Sequence, residues 1–193
     1  WIPAENRIGE EGDGWRLAKV TLSNERVSLS SAGSLWGSGP SAQDLLDVMR
    51  TGGGLDDPSQ RQQAASLHIE SELLRLLRLR SLSARLQGRT PGPEASVQKI
   101  LADEHGQHVM ALAKATAGAA GMLTHSGPAG ALPSSARSGA TEVNFDDDGT
   151  GVDPIWHYGY LFAPALTLGG GTFAIQRNSV AEKVRGPPRD LHA

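Results

Sequence analysis

Residues 169–184 read Gly-Gly-Gly-Thr-Phe-Ala-Ile-Gln-Arg-Asn-Ser-Val-Ala-Glu-Lys-Val. Three glycines permit a backbone turn that other residues resist, and the run after Thr172 has the spacing of an amphipathic helix. Thr172 stands where a hydroxyl can cap that helix, leaving its first N–H groups aimed at whatever lies before the turn. The pattern suits an anion site, and equally a plain helix entry. Gly186-Pro187-Pro188 stops this last helix beyond about residue 184.

Working back from this turn, the chain reads as helices separated by sharp punctuation. Asp153-Pro154 starts a helix that extends to about Leu166. Before it, residues 123–151 are rich in Gly, Pro, Ser and Ala and carry Asp146-Asp147-Asp148, a composition that buries little apolar surface and predicts a mobile loop. Helices are expected over 93–122 and over 58–87, the latter with Ala64, Leu67, Leu74, Leu77 and Leu82 as its apolar positions and Asp57-Pro58 as cap and first turn. A shorter piece spans 41–50, ended by Gly52-Gly-Gly54. Asp13 can cap a first helix beginning near Trp15, with Leu17, Val20, Leu22, Val27 and Leu29 as apolar positions, and Gly37-Ser-Gly39-Pro40 interrupts it. Residues 1–12, with Ile2 and Ile8 among turn formers, read as the end of a preceding β domain. The expected fold is all-α, an antiparallel up-and-down helical bundle over 13–193 with a short β-domain remnant in front.

Composition narrows the function classes. The 193 residues suit one domain, or one domain and a scrap of another. No run of 18 apolar residues is present, so no membrane span is expected. The absence of cysteine excludes disulfides and thiolate chemistry and suits a cytoplasmic protein. A net charge of −3 gives no general drive toward nucleic acid. The amino terminus has neither an initiator methionine nor the regions of a signal peptide, so the sequence reads as a fragment.

Gly171-Thr172, Ile175-Gln176-Arg177-Asn178 and the early Asn24-Glu25-Arg26 together resemble the C-terminal helical domain of bacterial acyl-CoA dehydrogenases. The resemblance spans most of the chain and is weakest over about 115–150. It implies FAD as cofactor, an acyl-CoA substrate, and electron-transfer flavoprotein or a similar acceptor as electron partner. It also implies a homo- or hetero-oligomer built as a dimer of dimers.

Desaturation of a thioester needs a carboxylate to take the α-proton, a hydride acceptor, and donors to the thioester oxygen. Many members of the family carry that carboxylate immediately before the last Gly-Thr of the turn. Here the position is Gly170, which cannot take a proton. Isovaleryl- and long-chain-type members place the glutamate on the first helix, before an arginine, and Glu25-Arg26 matches that arrangement. The resemblance therefore implies Glu25 as the base, the Gly170 backbone N–H as a donor to the thioester oxygen, and Arg26 as a contact for the phosphates of coenzyme A. The bland readings are a solvated helix glutamate, a helix-entry glycine and a surface arginine.

For the flavin, the resemblance implies Thr172 and Arg50, the arginine reaching a pyrophosphate from the neighbouring subunit. The site is eroded elsewhere. Ala174 stands where Glu or Gln is usual, Pro164 where Arg is common, and the Gln-x-x-Gly-Gly-x-Gly stretch expected after the helix at 93–122 is replaced by Ala119-Ala120-Gly121-Met122. Such erosion resembles heteromeric actinobacterial enzymes of steroid side-chain degradation, in which unlike subunits share flavin sites. Two readings stay open: part of an enzyme incomplete on its own, and a non-catalytic partner subunit completing its neighbour's site.

Other signals weigh less. Neither glycine triplet precedes Gly-Lys-Ser/Thr, so a P-loop is unsupported. His105 and His108 share a helix face without the paired Glu-x-x-His motifs of a di-iron bundle, and no metal is expected. Arg75, Arg78, Arg80, Arg85 and Arg89 read as a solvated face whose stems cover apolar surface; a nucleic-acid-binding helical module would rest on this run alone. Trp36, Trp156, Tyr158 and Tyr160 read as packing or rim residues.

Overall fold

The computed structural model describes residues 1, 3–29, 34–36, 39–89, 94–119 and 154–182. These form a short 3-10 turn (Ala4–Asn6), then α1 (Gly14–Leu29), α2 (Ala42–Thr51), α3 (Pro58–Leu86), α4 (Glu94–Thr116), α5 (Pro154–Phe162), a 3-10 segment (Ala163–Thr167) and α6 (Phe173–Val180). No strand occurs among the described residues, so the fold is the expected all-α bundle. The expected loop at 123–151 lies outside the described residues.

Local chemistry sets the helix starts. Ser41 caps α2 in a reciprocal box: its hydroxyl accepts from the Asp44 N–H at 3.2 Å, and Asp44 Oδ2 accepts from the Ser41 N–H at 2.7 Å. Asp57 caps α3 by accepting from the Gln60 N–H at 2.8 Å, with Pro58 preset for the first turn. Asp13, just before α1, accepts from the Arg16 guanidinium at 2.8 and 3.1 Å. The helix restarting at Pro154 tightens to 3-10 geometry from Ala163, where Pro164 lacks the amide that an α-helix would use.

Side-chain pairs fix the direction of packing. Gln60 meets Thr116 at 3.1 Å, Glu70 meets His105 at 2.9 Å, and Arg80 meets Glu94 at 3.4 Å. Numbers rise along α3 as they fall along α4, so the two helices run antiparallel. Around α4 pack α1, α2, α3, α5, the 3-10 segment and α6, making it the axis of the bundle. Its Val109, Met110, Leu112 and Ala113 bury against Leu45 and Met49 of α2, Ala64 and Leu67 of α3, and Ile155, Trp156 and Leu166. Each large side chain of this kind contributes about 1.5–3 kcal/mol. Close approach needs Gly106, where a Cβ would fall 2.2 Å from the Ser34 carbonyl oxygen.

The apolar positions expected of α3 divide. Ala64, Leu67 and Leu74 are buried and Leu77 half-buried, whereas Leu82 is exposed together with Ile69, Leu73, Leu76, Leu79 and Leu86. One face of α3 packs on the bundle, and an apolar stripe faces outward. No helix among the described residues is long and apolar enough to cross a membrane.

Candidate functional site

The turn before α6 joins the two ends of the chain. Gly170 and Gly171 adopt φ of +67° and +99°, conformations that side chains resist. Here the buried Gly170 N–H donates to Glu25 Oε1, reaching it across from α1 at 3.3 Å. A carboxylate and a backbone donor, 145 residues apart in sequence, are thereby neighbours.

Three residues hold this turn in place. Gln176 of α6 is fully buried, and its Nε2 donates to the Gly170 carbonyl at 2.6 Å and to the Gly171 carbonyl at 3.3 Å. A Cβ on Gly171 would come within 2.7 Å of that nitrogen. Upstream, the buried Lys99 of α4 donates to the Leu166 carbonyl at 2.7 Å and pairs with Asp103 one turn on. Burial pushes the Asp103 carboxyl up to about 6, with Lys99 acting in the opposite direction. Trp36, at a φ of +50°, lies over Gly169, where a Cβ would meet the indole at 2.6 Å. Its ring also meets Phe162 edge-on, centroids 5.1 Å apart.

The other anticipated site residues fall as follows. Thr172 occupies the N-cap position of α6, yet its side chain makes no capping hydrogen bond; the expected hydroxyl cap is not formed. Arg50, at the end of α2, is exposed and pairs with Asp47 on its own helix. Arg26 lies on α1, with its side chain outside the described set. Ala174 and Pro164 are exposed. The structure thus joins Glu25 to Gly170, and leaves Arg50 solvated and paired on its own helix.

The two histidines have a shared partner that their spacing did not disclose. Glu70 receives His105 Nδ1 at 2.9 Å and His108 Nδ1 at 3.0 Å, and burial lowers the pKa of His105. No metal-binding group of three or more His, Cys, Asp or Glu occurs among the described residues. The arginine run is mostly surface, as expected: Arg75 pairs with Glu72 and Arg80 with Glu94. Arg78 is half-buried instead.

Sequence reasoning gave Gln176 and Lys99 no part in holding the turn, and read Trp36 as a packing or rim residue, which its contact with Gly169 and Phe162 bears out. Gln176 offered one signal, an amide in a register between Phe173 and Val180. Lys99 with Asp103 had ordinary i,i+4 spacing that did not disclose burial.

Comparison with known proteins places this chain in a family. The profile described as "Acyl-CoA dehydrogenase, C-terminal domain" matches residues 12–185. Acyl-CoA dehydrogenase FadE34 of Mycobacterium tuberculosis is 28% identical over 190 residues, 98% of this chain and 22% of that protein. Acyl-CoA dehydrogenase IpdE1 of Mycolicibacterium smegmatis is 28% identical over 184 residues, 95% of this chain and 39% of that protein. Among solved structures, a protein described as "Tcur3481-Tcur3483 steroid ACAD" superposes with a TM-score of 0.71 at 23% identity, covering 98% of this chain and 44% of that one. The ChsE4-ChsE5 complex from Mycobacterium tuberculosis gives a TM-score of 0.65 at 24% identity, with 98% and 45% covered. These structural likenesses speak to fold. The chain spans less than half the length of these relatives, and by its family match over residues 12–185 it belongs to the acyl-CoA dehydrogenase C-terminal domain family.

Proposed function

We propose that this chain is the C-terminal part of an FAD-dependent enzyme that desaturates an acyl-CoA thioester, with Glu25 as the α-proton base. The observation that carries this reading is the hydrogen bond from the Gly170 N–H to the Glu25 carboxylate at 3.3 Å. A thioester oxygen that took the Gly170 N–H in place of Glu25 would leave the displaced carboxylate beside the α-carbon, two bonds from that oxygen. Glu25 would then accept the α-proton as the C–H bond breaks, while the Gly170 N–H stabilises charge growing on the oxygen. Donors of this type contribute about 10²–10³ in rate. Arg26 would meet the phosphates of coenzyme A as a fixed charge with a fork of donors.

The bound flavin would accept the hydride from the β-carbon, and electron-transfer flavoprotein or a similar acceptor would reoxidise it. Thr172 fits a flavin contact because the residue is exposed and its hydroxyl is not spent on capping α6. Arg50 fits a contact made from another subunit, being exposed at the end of α2. Ala174 offers no polar group, so a second reading is retained: a non-catalytic partner subunit that completes a shared flavin site. The outward apolar stripe of α3, with Ile69 at 59% and Leu76 at 52% exposure, supports an oligomer in either case. A fatty or a steroid-derived thioester fits this reading, the steroid class being the one in the description of one structural relative. Residues 1–12 are read as the end of a preceding β domain and 13–193 as the helical domain, a division supported by the family match beginning at residue 12.

The test is Glu25→Gln in the full-length protein, purified alone and with its genomic neighbour. The variant should retain flavin but lose substrate-dependent flavin bleaching by at least about a hundredfold. Wild-type turnover in the variant removes Glu25 from the mechanism. A flavin-to-subunit ratio that rises only on co-purification favours the shared site.

A further inference from the structure

Between α2, α3 and α4 lies a cleft of about 60 Å³ lined by neither Glu25 nor Gly170 but by Ser34, Ser41, Ser71, Leu74, Arg78 and His105. A single water needs roughly 10–15 Å³ of such space, so there is room for a small polyatomic ion. Arg78 is the cation of this cleft. Its Nε has no accessible surface and no hydrogen-bond partner, and Arg78 forms no ion pair among the described residues.

Neighbouring arginines show the contrast. Arg61 donates to the Leu55 carbonyl at 2.8 Å, Arg75 pairs with Glu72, and Arg80 with Glu94. A guanidinium cannot shed its proton to escape burial, as a lysine can, so a desolvated donor must be matched by an acceptor. The acids bonded to the cleft's lining residues are committed there: Glu70 receives both His105 and His108, and Asp44 receives the Ser41 amide and hydroxyl. No carboxylate among the described residues lines the cleft. Burial also pulls the Arg78 pKa below its ordinary value, the direction expected of an uncompensated charge.

We propose that this cleft binds a small oxyanion of the phosphate class, held by the Arg78 fork with hydroxyl donors from Ser34 and Ser71. Ser41 is occupied by its capping box and serves as wall. The fork of an arginine matches two oxygens of such an ion, while the serine hydroxyls can rotate to meet the others. This site is independent of the dehydrogenase reading and does not require it.

The experiment uses the full-length protein and inorganic phosphate, with chloride at matched ionic strength as reference. Thermal unfolding should rise saturably with phosphate, with half-effect at millimolar concentration, whereas excluded-salt stabilisation climbs without saturating. Arg78→Gln should weaken the half-effect concentration at least tenfold and, without phosphate, should match or exceed the wild-type melting temperature, because it removes an unpaired charge. Ser71→Ala, which keeps the charge, should weaken it several-fold. Arg75→Gln, on the solvated face, should leave it unchanged. An unsaturable rise, or one equal in wild type and Arg78→Gln, means that the cleft holds only water and overturns the proposal. Should Arg78→Gln fail to fold, Ser71→Ala decides: an unchanged half-effect concentration overturns it equally.

Discussion

The amide of Gln176 holds the carbonyl of Gly170 at 2.6 Å from within the core. That bond, with a second to Gly171 at 3.3 Å, fixes the peptide groups on the α6 side of the turn whose N–H faces Glu25. A buried side chain thereby orients a catalytic candidate that it does not touch.

Replacing Gln176 with leucine should remove both of the hydrogen bonds that its amide donates to the turn. Each unmade buried hydrogen bond costs about 1–3 kcal/mol, so urea midpoints of the full-length protein should fall accordingly. Thioester binding should weaken alongside, as the Gly170 N–H loses its fixed direction. Unchanged stability and unchanged thioester affinity would remove Gln176 from this role.

Gly171 tests the same turn from the backbone. At a φ of +99°, with a Cβ predicted 2.7 Å from the Gln176 amide, Gly171→Ala combines strain with a clash. The left-handed penalty alone is roughly 1–2 kcal/mol. Denaturant titration should show at least that loss, and a neutral substitution would mean that the turn adopts another shape.

Lys99→Met should be the costliest single change at this end of the bundle. It leaves Asp103 without its partner and the Leu166 carbonyl without its donor, a type of break that costs about 3–5 kcal/mol. Adding Asp103→Leu should recover part of the loss. A double-mutant cycle showing strict additivity would refute coupling between the two.

Acid should act through His105 with a definite sign. Its folded pKa lies below the ordinary 6.5 because of burial, so just below that pH the folded state binds fewer protons than the unfolded one. The stability it contributes is present above 6.5 and lost as pH falls through the depressed folded value. Asp103, raised to about 6 from 3.8, acts oppositely: its contribution is present below 3.8 and lost as pH rises through 6. The stability gap between wild type and His105→Asn isolates the histidine and should narrow from pH 7 to pH 5. A constant gap means that His105 titrates normally in the fold.

Helix identity was legible because it depends on local periodicity and capping. Asp57-Pro58 and the glycines after Arg50 mark ends that α2 and α3 respect within about a residue. Family membership was legible from the residues around Gly170 and Glu25, since motif spacing survives where overall identity is low. Packing was not legible. Leu82 and Leu74 look alike in the helical pattern, but α4 covers only one side of α3, and the exposure of Leu82 follows from that. Asp13 stands just before α1 as expected, and its carboxylate also meets the Arg16 guanidinium, a contact that capping position alone does not disclose.

By itself, then, the sequence determined the helices, their order and the family, all properties of neighbours along the chain. Only the tertiary structure decided that Glu25 meets the Gly170 N–H, that Gln176 and Lys99 brace the turn between them, and that the Arg78 Nε has no partner among the described residues. Those relations depend on which faces α1, α4 and α6 turn toward one another, and burial, which gives each buried polar group its energetic weight, has no value until the faces meet.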